Sequence, residues 1–209
     1  RPVGVNDVAQ AIRLHVYVDG SAKPDEYATW AFVVLCEFAD GSFGRLGFLA
    51  GNVKLEGQES FIGADRLTND TAESSALTWA MMWALQSEYR GEIVFHGDNT
   101  CAGKAAEGVW SVKTSMRLKR LSFVIMDALA NRQRVFWRHV KAHSGHPWNE
   151  LVDRLAWAVH KGLLLEAVVD MHVERYLQNE ASCLDWQCLQ YLSGEWRDAY
   201  PPVVGGELL

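Results

Sequence analysis

LHVYVDGSA, residues 14–22, is the stretch on which the reading of this chain turns. Leu14, Val16 and Val18 alternate with His15, Tyr17 and Asp19, the period of two that marks a strand with its apolar members on one face. Gly20 and Ser21 follow at once, so the strand is expected to end on Asp19 and turn there. A carboxylate at a strand end beside a loop stands where α/β sheets commonly place their sites. Alone, an Asp before Gly is more often just a turn residue.

Outward from this stretch, Ala28 to Phe38 and Phe43 to Ala50 are β-branched and aromatic runs joined through Asp40-Gly41. That pair is expected to centre a tight hairpin with positive φ at both positions, so three antiparallel strands open the domain. Gly51 to Leu67 is polar and aperiodic, a long loop. A helix is expected from Asp70 to about Gln86, with Asp70 and Glu73 resembling a capping box. Along it Ala76, Leu77, Ala80 and Ala84 share a stripe with Glu73, which places that carboxylate on the sheet-facing side. Either the cap or a partner such as a metal could account for it.

Glu92 to Asp98 reads as a fourth strand, again ending on an acid. Asn99 and Thr100 open a short helix that Gly108 ends. A further helix is expected from Val112 to Asn131, with Leu118, Leu121, Ile125, Ala128 and Leu129 as its buried stripe. Arg134 to Val140 forms a fifth strand, and Pro147 starts a last core helix that Gly162 closes. Strands first, then strands alternating with helices, imply an α/β fold with a mixed sheet covered by helices. Residues 1–13 read as a lead-in or linker and 14–162 as the domain. Residues 163–209 read as a helical extension, with helices over Leu163 to Gln178 and Ser182 to Trp196 and a linker-like Pro201-Pro202 and Gly205-Gly206.

The 209 residues carry a net charge of −6 that is unevenly spread. From Leu163 onward there are eight acids against two arginines, which leaves 18 charges of each sign before it. Lys104, Lys113, Arg117, Lys119 and Arg120 form a local basic stretch beside Trp110, suited either to a phosphate backbone or to an ordinary solvated helix face. Four scattered cysteines make no disulfide framework and point to a reducing, intracellular setting, cytoplasm or nucleus left open. The Cys183 and Cys188 spacing makes a poor zinc site, as do His139, His143 and His146 without cysteines. No run is long enough to span a membrane, and the N-terminal residues lack the apolar run of a signal peptide. The chain opens on Arg1, which suggests a piece of something longer.

Asp19, Glu73, Asp98 and Asp153 are the acids that a sheet could bring to one end, where divalent cations would be needed between them. Hard oxygen ligands select magnesium or manganese. VDGSA, TNDTAE, HGDN and WRHVKAHSGHPWNELVDRLA resemble, in order and spacing, the four motifs of the ribonuclease H family, type 1, over roughly residues 14–161. The resemblance implies a five-stranded RNase H-like fold and hydrolysis of the RNA strand of RNA/DNA hybrids by two metal ions, leaving 5′-phosphate and 3′-hydroxyl ends. It implies Asp19, Glu73, Asp98 and Asp153 as metal ligands, His143 as the loop histidine assisting proton transfer or product departure, and Asn69, Asn99 and Ser21 as substrate contacts.

KPDEYATW after the first motif and Asp70 beside Asn69 depart from the family pattern. With a short segment between Asp98 and His143, hybrid binding falls to the region of Lys104 and Lys113 or to a neighbouring domain. These features suit the RNase H module of a retroelement reverse-transcriptase polyprotein, with reverse transcriptase as partner. A silent hybrid-binding scaffold and a metal nuclease acting on DNA are the competing readings; the four acids argue against the first, KAHSGHPWNE against the second.

Overall fold

β-branched and aromatic runs become strands and the alanine-rich runs become helices. The computed structural model describes residues 8–41, 43–111 and 113–177. Strands are β1 (Arg13–Lys23), β2 (Tyr27–Glu37), β3 (Phe43–Asn52), β4 (Glu92–Gly97) and β5 (Val135–His139). Helices are α1 (Asn69–Gln86), α2 (Thr100–Ala106), α3 (Met116–Ala130), α4 (Pro147–Lys161) and α5 (Leu165–Leu177). The sheet runs β3-β2-β1-β4-β5, antiparallel through β1, β2 and β3, parallel from β1 to β4 to β5.

The central strand is buried on both faces. Leu14, Val16 and Val18 pack with Ala76, Leu77 and Ala80 of α1 and with Leu118 and Leu129 of α3. Tyr17, Val33 and Leu35 face Leu151, Val152 and Leu155 of α4 and Val168 and Val169 of α5. His15 and His96 are buried on this second side, share a hydrogen bond of 3.0 Å, and His96 stacks on Tyr17 at 4.5 Å. Burial lowers the pKa of both imidazoles.

Several expectations change. β1 does not end at Asp19: its ladder with β2 continues through Gly20↔Trp30 to Lys23↔Tyr27, and the chain turns only at Pro24–Glu26, with Asp25 at φ 61°. In the next hairpin Gly41 has φ 82° while Asp40 does not take positive φ, so the turn is not the mirror-image type expected. α1 is capped by Thr68, which forms a reciprocal box with Thr71, because a threonine one residue before the helix supplies the oxygen that the backbone donors need. Asp70 instead pairs with Lys119.

α3 starts at Met116; Ala128 faces solvent, and Lys119, Ser122 and Met126 join the buried side. Trp157 on α4 is 46% exposed, where a tryptophan would ordinarily be taken for packing. The first tail helix lies within the expected range. The lead-in before residue 8, the Ser182–Trp196 helix, the Cys183 and Cys188 pair and the terminal linker lie outside the described residues. Among the described residues no helix is long and apolar enough to cross a membrane.

Candidate active site

The site lies where β1 and β4 part. Their parallel pairing stops at Tyr17↔His96, two residues short of both Asp19 and Asp98, so each strand carries an acid just beyond the last shared register position. Parting the strands leaves room for a third carboxylate. Gly20 lets α1 come in at that point: a Cβ there would lie 2.4 Å from the carbonyl carbon of Ala72 and 2.5 Å from the Glu73 nitrogen. Strand and helix backbones therefore touch, and Glu73 is delivered against Asp19.

Carboxylate oxygens of Asp19, Glu73 and Asp98 all fall within 4.8 Å of one another. Asp19 is 4% exposed; its Oδ1 accepts a 2.7 Å hydrogen bond from the Gly20 backbone, and its side chain also bonds Glu73. Burial holds the Asp19 pKa well above the ordinary carboxylate range, with the charges of Asp98 and Asp153 pushing the same way. Glu73 is raised well above its usual value by burial and then by Asp19 and Asp98. Burial also raises Asp98, an effect eased by the neighbouring His143 and His139. Asp153, half-buried on α4, is raised by burial and by Glu150 and Asp98, with His143 opposing. Asp153 thus stands within electrostatic reach of Asp19 and Asp98 although it lies outside the tight cluster.

Oxygen donors of like charge, crowded and held away from water, are the donor set that fits hard divalent cations. Without such a charge, burial and mutual repulsion make these carboxyls hold their protons more tightly, the direction in which their pKa values are displaced. Glu73 is not consumed by a helix cap, since Thr68 and Thr71 provide it.

His143 is exposed on the loop between β5 and α4 in the left-handed region, at φ 48°, beside both Asp98 and Asp153. His139 instead contacts the Asp98 carbonyl oxygen at 3.1 Å, and His146 caps α4 by accepting from Trp148 and Asn149, so the three histidines do different work. Asn149 was not marked by sequence reasoning. It is 3% exposed and hydrogen-bonds the Asp98 carboxylate. Its position four residues before Asp153 on the same helix was the available signal.

Ser21 shares the Asp19 face of β1, two residues on and half-buried. Asn69 is exposed at the first helical position of α1, and the Asn99 side-chain oxygen is engaged in capping α2 at 3.0 Å from the Ala102 nitrogen. The basic stretch is less free than its composition implies. Lys104 pairs with Glu107 at 2.7 Å, Arg117 with Glu56 at 3.1 Å, and buried Lys119 with Asp70 at 2.6 Å. Lys113 and Arg120 are exposed, with no ion pair among the described residues.

A family model described as RNase H matches residues 12–161. None of the curated proteins matches the chain. Among solved structures, RNase H1 from the halophilic archaeon Halobacterium salinarum is similar with TM-score 0.54 and 24% identity, over 72% of this chain and 99% of that one. The N-terminal RNase H domain of Rv2228c from Mycobacterium tuberculosis, solved as a fusion with maltose binding protein, gives 0.52 and 23%, over 77% and 99%. The RNase H domain of PFV, in solution, gives 0.50 and 16%, over 72% and 94%.

Proposed function

The chain belongs to the RNase H family and is a ribonuclease H; from that premise we propose that it hydrolyses the RNA strand of RNA/DNA hybrids at the acid cluster, leaving 5′-phosphate and 3′-hydroxyl ends. The observation that carries this reading is the convergence of Asp19, Glu73 and Asp98 within 4.8 Å, with Asp153 close enough to raise the Asp19 pKa. A nucleic acid is the partner implied; reverse transcriptase as a second is in keeping with the likeness to the prototype foamy virus protease-reverse transcriptase.

Asp19, Glu73, Asp98 and Asp153 would hold two magnesium ions, with manganese as substitute. Such ions, when bound, would supply a water made nucleophilic and a stabilised leaving oxygen. Asp19 is oriented by the Gly20 backbone donor, and Asp98 by the Asn149 amide. His143, exposed and in neither strand nor helix, flanks both Asp98 and Asp153 and is placed to carry a proton at the solvent side of the cluster. The 2′-hydroxyls of a wide, shallow minor groove distinguish RNA from DNA, and Ser21, Asn69, Asn99, Lys104 and Lys113 are the contacts proposed for the duplex.

Incubation with a labelled hybrid and magnesium should cleave only the RNA strand, and Asp98→Asn should abolish this while the variant still binds the hybrid. Cleavage persisting in Asp98→Asn removes the assigned site. Cleavage of duplex DNA in place of the hybrid removes the substrate assignment.

A further inference from the structure

Asp153, Trp157 and Lys161 recur at every fourth residue of α4, the spacing that sets side chains one above another on a helix face. The first belongs to the acid cluster. The second leaves nearly half its surface, 46%, in solvent although α4 has an otherwise filled inner face of Leu151, Val152, Leu155 and Ala158. The third is exposed, with its ammonium 5.7 Å from the Trp157 ring centroid, close to the ~6 Å limit of a cation–π contact. Beside them His160 stacks flat on Tyr27 at the β1–β2 hairpin, 3.6 Å between centroids and 9° between planes. Neither Arg154 nor Lys161 forms an ion pair among the described residues.

An indole face and an unpaired cation in line with a phosphodiester-cleaving pocket are the parts from which single-strand tracks are built: the base stacks, the phosphate meets the cation. A duplex does not fit this role, because its bases are already stacked and paired. From Asp153 to Lys161 the helix rises about 12 Å. That spans roughly three to four nucleotides at ~3.4 Å each. We propose that this flank of α4 binds an unpaired stretch of the cleaved RNA strand as it leaves the duplex, with Trp157 as stacking platform and Lys161 as phosphate contact. The ribonuclease thereby prefers hybrids whose RNA continues beyond the DNA.

This rests on the hybrid-cleaving function proposed above, and the test separates the two. KM and kcat are measured in magnesium for a blunt hybrid and for the same hybrid with its RNA extended by about four nucleotides at each end in turn. One of the two tails should lower KM by about tenfold, the worth of one stacked base. Trp157→Ala should bring the tailed-to-blunt KM ratio close to one, and Trp157→Phe should restore most of it. Lys161→Ala should reduce the salt dependence of the tailed substrate by about one phosphate contact. Equal KM for blunt and tailed hybrids in the unaltered protein, or a ratio that Trp157→Ala leaves intact, overturns the proposal. A gain equally given by a DNA tail overturns the strand assignment. Failure of the unaltered protein to cleave any of these hybrids overturns the parent reading instead.

Discussion

A Cβ on Gly20 would meet backbone atoms of Ala72 and Glu73, which no side-chain rotation can relieve. Gly20→Ala is therefore expected to cost about 1–3 kcal/mol, as overpacking does, read by urea unfolding. Its effect on cleavage should exceed its effect on stability, because the displaced element carries Glu73. The acids themselves make a second prediction. Asp19 and Glu73 have folded pKa values raised well above their ordinary ones, first by burial. A carboxyl of that kind contributes stability below its unfolded pKa and loses it as pH climbs through the raised value. The buried His15 and His96, with lowered pKa values, work in the opposite sense over the same interval. The quantity to read is therefore the Tm difference between magnesium-loaded and chelated protein, which should widen as pH rises from the ordinary carboxylate range toward neutrality. Asp98→Asn removes one of the mutually repelling charges, so its chelated form should lose less Tm over the same interval, although it is inactive. A magnesium-dependent Tm difference that does not change with pH would contradict the electrostatic account.

At the scale of elements, α1 and α3 are fastened by Lys119, whose side chain is 2% exposed and whose ammonium sits 2.6 and 2.7 Å from the two Asp70 oxygens. Asp70→Ala leaves that ammonium without its carboxylate and is expected to destabilise the fold by about 3 kcal/mol; calorimetry or urea unfolding reads it. The pairing explains why Asp70 was misread as a cap. From sequence, an Asp three residues before Glu looks the same whether it caps a helix or reaches a lysine 49 positions away. Local signals were legible: Pro147 and Gly162 delimit α4, and Asn99 opens α2, because caps depend on neighbouring residues. Continuation of β1 past Gly20 was not, because it depends on β2 pairing across the hairpin and on a close contact with α1. Asp19, Glu73, Asp98 and Asp153 were picked out by motif order, whereas for Asn149 the sequence offered only its spacing from Asp153, and its bond to Asp98 depends on how α4 lies across the sheet.

For the molecule as a whole, the family match ends at residue 161, but packing continues beyond it. Val168 and Val169 of α5 are buried with Leu151 and Leu155, and His172 Nε2 lies 2.8 Å from the Pro147 carbonyl oxygen. A chain cut after Gly162 should lose about 2–4 kcal/mol relative to one cut after Leu177, given what burial of two such side chains is worth. Equal urea midpoints for the two would show α5 to be dispensable. β3 is hydrogen-bonded to β2 alone, so its outer margin is open. The ladder slips between Val34 and Leu35, where Leu46 is left over, and half-buried Arg45 follows the same irregularity. Leu165 and Glu166 close the far side of a recess over Arg45 to Ala50. A slipped ladder, a guanidinium and a covering helix are the usual means by which a bare strand is kept from recruiting strangers. The shortened chain should therefore do more than melt early: as concentration rises it should self-associate, strand against strand, while the longer one stays dispersed in light scattering.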